Sequence, residues 1–434
     1  MSPDDMVIFF LQVAVMLFTA LLFGQFMRRL HFPAVIGELI GGIILGPTIW
    51  GWLSPGTQLW LFPVSGPAFM GRDALVQVCM LFFLFAAGLE MNLGVIHKHR
   101  LTIAWTSLMG VLIPFIMGIG LVLLFPGLWG SHVQGNLTLF ALFMGTALSI
   151  SALPVIARIL MDLNLMKSEV GMIVMGAATV NDLIGWSLFA LILSSFAPQS
   201  VLHLPAYVTF VLVLLIFVLM ITAGRIVGGK AQDWLKARLP WPGAFLGLTI
   251  VFVLLMAALM ELIGVHAVFG AFLVGMVLSQ NLDKRNEAHE MVYQFVMYFF
   301  APLYFVSIGL RTNFFQSFDP VLVLVVLAVA CVGKVVGATL GARIGRLRMR
   351  QATAIGFAMN ARGAMELIMA TVARDAGLID DRIFVALILM ALFTTLLSSP
   401  MIDRLIIHKP EKTEFIPHEP YKRMADFEDP VEEE

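Results

Sequence analysis

Charge is scarce in this sequence. Asp, Glu, Lys and Arg make up 13% of its 434 residues, about half the quarter that is usual in soluble domains. Too few polar groups are present to clothe a water-facing surface, which excludes an ordinary soluble enzyme. Cysteine is nearly absent. Cys79 and Cys331 both fall inside apolar runs, and neither has a neighbour at metal-ligand spacing. They read as small buried residues, not as a disulfide framework or a metal site. The net charge of −1 says nothing about partners, and no basic stripe points to nucleic acid. No G-x-G-x-x-G dinucleotide fingerprint occurs. Gly224 to Lys230 has the spacing of a phosphate loop, but Ala231 stands where Ser or Thr is required and no strand precedes it. No nucleophile–base pair stands out, so neither an enzyme nor a cofactor is expected. The opening residues, Met1-Ser2-Pro3-Asp4-Asp5, lack the basic start of a cleavable signal peptide. The first apolar run is therefore expected to be retained.

What the sequence has in abundance is hydrophobic residues, 60% of the total. They form runs of about 20 residues from end to end, each long enough to cross a bilayer. Charge, Pro and Gly divide the chain into thirteen expected helices. They lie near 6–27, 33–50, 73–93, 101–125, 136–160, 169–197, 205–224, 243–262, 264–280, 289–310, 320–342, 352–373 and 383–403. Counting from an outside N-terminus, the outer loops hold only Arg72, Arg311, Arg374 and Arg382. The bulk of the loop cations, from Arg28 and Arg29 to Arg348 and Arg350, falls inside. Basic residues favour the cytoplasmic side, so the expectation is a multi-pass protein of the cell membrane, N-terminus out and C-terminus in.

The predicted fold is an all-α polytopic membrane protein, an inverted repeat of two six-helix halves. The membrane domain covers residues 1–405, with repeats of about 1–197 and 243–405 joined by a linker helix at 205–224. A short charged cytoplasmic tail follows at 406–434. Inverted repeats build many secondary transporters, with ion sites at interrupted helices near the midplane. The corresponding fifth helix of each half is interrupted. Pro154 breaks the first, within Ser149-Ile-Ser-Ala-Leu-Pro154, and Asn360-Ala-Arg-Gly363 breaks the second.

A charge at the centre of a membrane helix costs about 2.5–3.5 kcal/mol even on the lenient insertion scale, so each one needs a reason. Asp182 lies midway along its helix, beside Asn181 and small residues, with no basic neighbour in sequence. A proton or a hard, oxygen-preferring cation can neutralise it, and each excludes the other. That exclusion is the physics of antiport. The plainer reading is a structural Asp paired with Lys334 or an arginine. Lys334, within Gly333-Lys-Val-Val-Gly337, is either a proton carrier or a fixed positive charge. Arg362 and Glu366 stand i, i+4 and can pair. Arg158 follows the first break and, with that pair, reads as a supporting intramembrane charge; Glu38 reads as packing or a polar cap.

Several stretches resemble the second monovalent cation:proton antiporter family. PAVIGELIGGIILGP from Pro33 and FLFAAGLEMN from Phe83 are similar to its second and third helices. SALPVIARIL from Ser151, NDLIGW from Asn181, FGAFLVGMV from Phe269, LYFVSIGLRTN from Leu303 and MNARGAMELI from Met359 are most similar to its cation/proton exchanger branch. The resemblance implies exchange of K⁺ or Na⁺ for H⁺, with K⁺ favoured, and a homodimer whose subunits move a core domain against a dimerisation domain. It implies that Asp182 binds the ion, with Asn181 and Ser151 beside it, and that Lys334 matches the family's membrane lysine. Electrogenic sodium/proton members carry Asp-Asp where this chain has Asn181-Asp182. Electroneutral exchange is therefore expected, and the alternative is an electrogenic Na⁺/H⁺ antiporter using Lys334 as second proton carrier. Members that gate potassium efflux add a soluble nucleotide-binding domain, which is not expected here. Outside this class, the readings are an ion-coupled symporter or an ion-sensing, channel-like protein on the same scaffold.

Overall fold

The computed structural model describes residues 1–406 except 31, 91–98, 131–132, 134–135, 164, 167, 282–286 and most of 197–242. It is all-helical among the described residues. Backbone polar groups in hydrocarbon must be satisfied within the chain, and a helix does this with its own hydrogen bonds. In chain order the main helices are α1 (Pro3–Arg29), α2 (Ala34–Leu45), α3 (Pro67–Leu89), α4 (Arg100–Leu124), α5 (Leu137–Ser149), α6 (Leu153–Asp162) and α7 (Glu169–Phe196). There follow α8 (Gly243–Leu262), α9 (Ala267–Asn281), α10 (Glu287–Phe295), α11 (Ala301–Leu310), α12 (Pro320–Ile344), α13 (Met349–Met359), α14 (Ala364–Asp375) and α15 (Asp381–Ile406). A single π-turn, Val296–Phe300, joins α10 to α11.

Every stretch expected to be helical, apart from 205–224, overlaps helix among the described residues. Most of 205–224 lies outside the described residues, as does the tail beyond 406. Nine described helices are long and apolar enough to cross a membrane. The expected count of thirteen is not reached on that criterion, partly because the two interrupted stretches are each divided into shorter halves, α5–α6 and α13–α14.

Extensive packing among the described helices falls within two bundles. The first contains α1, α2, α3, α8, α9, α10 and α11; the second contains α4 to α7 and α12 to α15. Asp182, Lys334 and both broken helices belong to the second. Its tightest pairing is α4 against α12, made possible by Gly337: a Cβ there would sit 2.5 Å from the Met109 carbonyl oxygen. Small residues at such contacts let backbones approach closely, and this approach carries Lys334 on α12 to the backbone of α4.

Candidate functional site

The two breaks meet. After Ser149, α5 gives way to extended backbone at Ile150 and Ala152, and Pro154 sits in the first turn of α6, where its missing N–H costs nothing. α13 ends at Asn360, and α14 begins after Gly363. Ala152 N–H donates to the Ala361 carbonyl at 3.0 Å. The Ser151 hydroxyl donates to the Met359 carbonyl at 2.7 Å. Backbone groups freed by one interruption are thus satisfied by the other.

A helix that stops in the membrane leaves its last carbonyls without partners and with partial negative charge. Two buried cations meet those of α5. Arg362 donates from Nη1 to the Ala147 carbonyl at 2.7 Å and from Nη2 to the Leu148 carbonyl. Lys334 Nζ donates to the Ser149 carbonyl and, across to α4, to the Gly110 carbonyl at 3.0 Å. Arg362 Nη1 also reaches both oxygens of Glu366, at 3.3 and 3.2 Å, so the expected i, i+4 pair is formed. Thr395 on α15 accepts from the Arg362 backbone N–H at 3.2 Å.

Asn181 completes the surroundings of Lys334. The orientation of an amide is assigned from its hydrogen bonds. With its nitrogen donating to the Ala177 and Ser107 carbonyls, at 3.2 and 3.3 Å, its oxygen accepts from Lys334 Nζ at 2.8 Å. The ammonium then has three acceptors for its three donors. Asp182 is different. It is 1% exposed, and its Oδ1 has no hydrogen-bond partner among the described residues. A buried carboxylate oxygen without a partner is costly, and a proton or a bound cation relieves that cost. Asn360, fully buried in the second break, likewise leaves its Oδ1 unpartnered.

The fold brings Asp182, Asn181, Ser151, Lys334, Arg362 and Glu366 into one bundle, all at most 2% exposed. Ser151 and Asn181 have polar commitments of their own, to Met359 and Lys334. Arg158 is exposed on α6. Ile156, Ile159 and Leu160 form the buried face of that helix, and Arg158 falls with Met161 on the opposite side. Glu38 is buried in α2, in the other bundle. Ser107 and Thr395 were not singled out from sequence; their signal was hydroxyl-bearing pairs, Thr106-Ser107 and Thr394-Thr395, inside apolar helices.

The chain is similar in sequence to known proteins and in fold to a solved structure. Cation/H(+) antiporter 18 of Arabidopsis thaliana is 34% identical over 93% of this chain and 49% of its own length. The Na(+)/H(+) antiporter NhaS4 of Synechocystis sp. is 32% identical over 93% of this chain and 98% of its own. K(+)/H(+) antiporter 1 of Saccharomyces cerevisiae is 30% identical over 92% of this chain and 46% of its own. The chain spans about half the length of the plant and yeast relatives. The sodium proton antiporter MjNhaP1 from Methanocaldococcus jannaschii has the same fold, with a TM-score of 0.60 over 92% of this chain and 96% of that one, at 15% identity. The sequence profile described as "Sodium/hydrogen exchanger, transmembrane" matches residues 14–407. By that match, nearly end to end, the chain belongs to the transmembrane sodium/hydrogen exchanger family.

Proposed function

We propose that this protein is a secondary antiporter that exchanges a monovalent metal cation for protons, with Asp182 as the shared carboxylate. The observation that carries the reading is the Oδ1 of Asp182, buried without a hydrogen-bond partner among the described residues, in a bundle where Lys334, Arg362 and Glu366 have partners. A proton on Asp182 and a cation on Asp182 are alternatives, and the bundle crosses in either state. Ser151, beside the meeting point of the breaks, and Asn181 supply further oxygens. K⁺ is the favoured cation, with Na⁺ beside it: relatives are named for each. Alternating access follows from movement of the second bundle against the first, in a homodimer of the cell membrane with the N-terminus outside.

Charge counting favours one-for-one exchange. Lys334 and Arg362 contribute two positive charges, Glu366 and ionised Asp182 two negative. A proton on Asp182 leaves the site at +1, and a bound monovalent cation leaves it at +1 as well. The two loaded states therefore carry equal charge across the membrane. Lys334 holds its charge in this scheme because all three of its N–H groups have acceptors.

The test is a reversal measurement in liposomes. Cation and pH gradients are fixed, and an imposed potential is varied. One net charge per cycle would couple about 2.3 kcal/mol for every 100 mV, which moves the balance point visibly. No movement is expected. A balance point that tracks voltage means two protons per cation, and Lys334 becomes the second carrier.

A further inference from the structure

Three of the four arginines expected in the outer loops gather around one cavity. Arg72, Arg311 and Arg374 line a space of about 600 Å³, together with Asp73 and Asp375. Elements of both bundles meet here. Arg311 caps the end of α11 in the first bundle, and Asp375 ends α14 in the second. Arg311 Nη1 lies 3.4 Å from Asp375 Oδ2, and its Nη2 is bound to Asp73 on α3, within its own bundle. Arg374 repeats the pattern from the other side. It pairs through Nε with Asp381 of its own bundle at 2.6 Å, and Nη2 donates across to the Arg311 carbonyl at 3.2 Å.

Arg311 and Arg374 thus each have one carboxylate within their own bundle and one partner across the boundary. The inner pair keeps the guanidinium compensated when the crossing contact is lost.

We propose that Arg311 and Asp375 form a latch closing the outer end of the two bundles, which must open once in each transport cycle while Asp73 retains Arg311. The proposal rests on the reading that the bundles move against one another during exchange. Arg311 and Asp375 are positioning residues; neither is assigned contact with the transported ion.

The latch can be read without transport. Thr371 lies one turn before Asp375 on α14, buried beside Tyr304 of the first bundle. In a background of Cys79→Ala and Cys331→Ala, Thr371→Cys reports whether the boundary is open to a charged, membrane-impermeant thiol reagent added outside. Labelling is expected to quicken several-fold when Asp375→Asn or Arg311→Gln is added, and to stay unchanged with Asp73→Asn. Equal rates in all of them would overturn the latch. So would acceleration by Asp73→Asn as large as by Asp375→Asn, since that is general loosening. Where Arg311→Gln fails to fold, Asp375→Asn, which keeps Arg311 paired with Asp73, carries the labelling test alone; where it folds, Arg311→Cys with Asp375→Cys provides a second measurement. A short bifunctional thiol reagent should arrest exchange in that protein; undiminished exchange after confirmed bridging would overturn the proposal. Loss of the exchange reading has its own signature, no cation-dependent proton flux in the parent protein, whatever the labelling rates.

Discussion

Asp182→Asn is expected to lose cation-dependent proton movement entirely, while still folding and inserting. The amide matches the carboxyl in shape but cannot ionise, so it can neither carry the proton nor balance the cation. Folding should not suffer, because a neutral amide costs less to bury than a carboxylate. The substitution also leaves the site at +1, the same charge as either loaded state in the proposed cycle. The check is proton flux in liposomes alongside a thermal melt in detergent. A melt at or above that of the parent, with flux at background, is the expected pair of results. Flux near the parent level from a folded Asp182→Asn protein would remove Asp182 from the mechanism.

Competition between proton and cation gives the second large effect. If both occupy one carboxylate, every proton bound is a cation excluded. Below the pKa of Asp182, apparent cation affinity should then fall about tenfold per pH unit, which is 1.36 kcal/mol of linked free energy. Above that pKa it should level off. Cation concentration giving half-maximal exchange, measured from pH 6 to 9, follows this curve if the site is shared. An affinity constant across that range means separate sites, and the exclusion argument then fails. Two titrating groups would give a steeper fall, so the slope also reports on Lys334.

Much of this arrangement was legible in the sequence, because hydrocarbon makes polar residues conspicuous. Asp182, Lys334 and Arg362 stand out in apolar runs, and each is buried in the fold. The breaks at Pro154 and at Asn360-Ala-Arg-Gly363 were legible for the same reason, since an interrupted helix in lipid is costly unless its freed groups find partners. The partners themselves were not legible. Nothing local in the sequence says that Lys334 reaches the Ser149 and Gly110 carbonyls, or that Ser151 donates to Met359. Those are contacts between distant segments, fixed by helix packing. The exposure of Arg158 was legible in another way. Its helix has a readable amphipathic face, Ile156, Ile159 and Leu160, and that spacing puts Arg158 outside the buried set. The ion-pair cluster around Arg311 had a partial signal in the four outer arginines, but its division between two bundles emerges only from the fold.

The most direct test of the central claim is proton flux from purified protein in liposomes carrying an imposed pH gradient. Na⁺, K⁺, Li⁺ and Rb⁺ are added in turn with the membrane potential clamped. Cation exchange through Asp182 predicts that K⁺ or Na⁺ collapses the gradient in the parent protein and that neither does so in Asp182→Asn. A gradient left standing by all four cations would contradict the account, as would equal collapse in the parent and in Asp182→Asn.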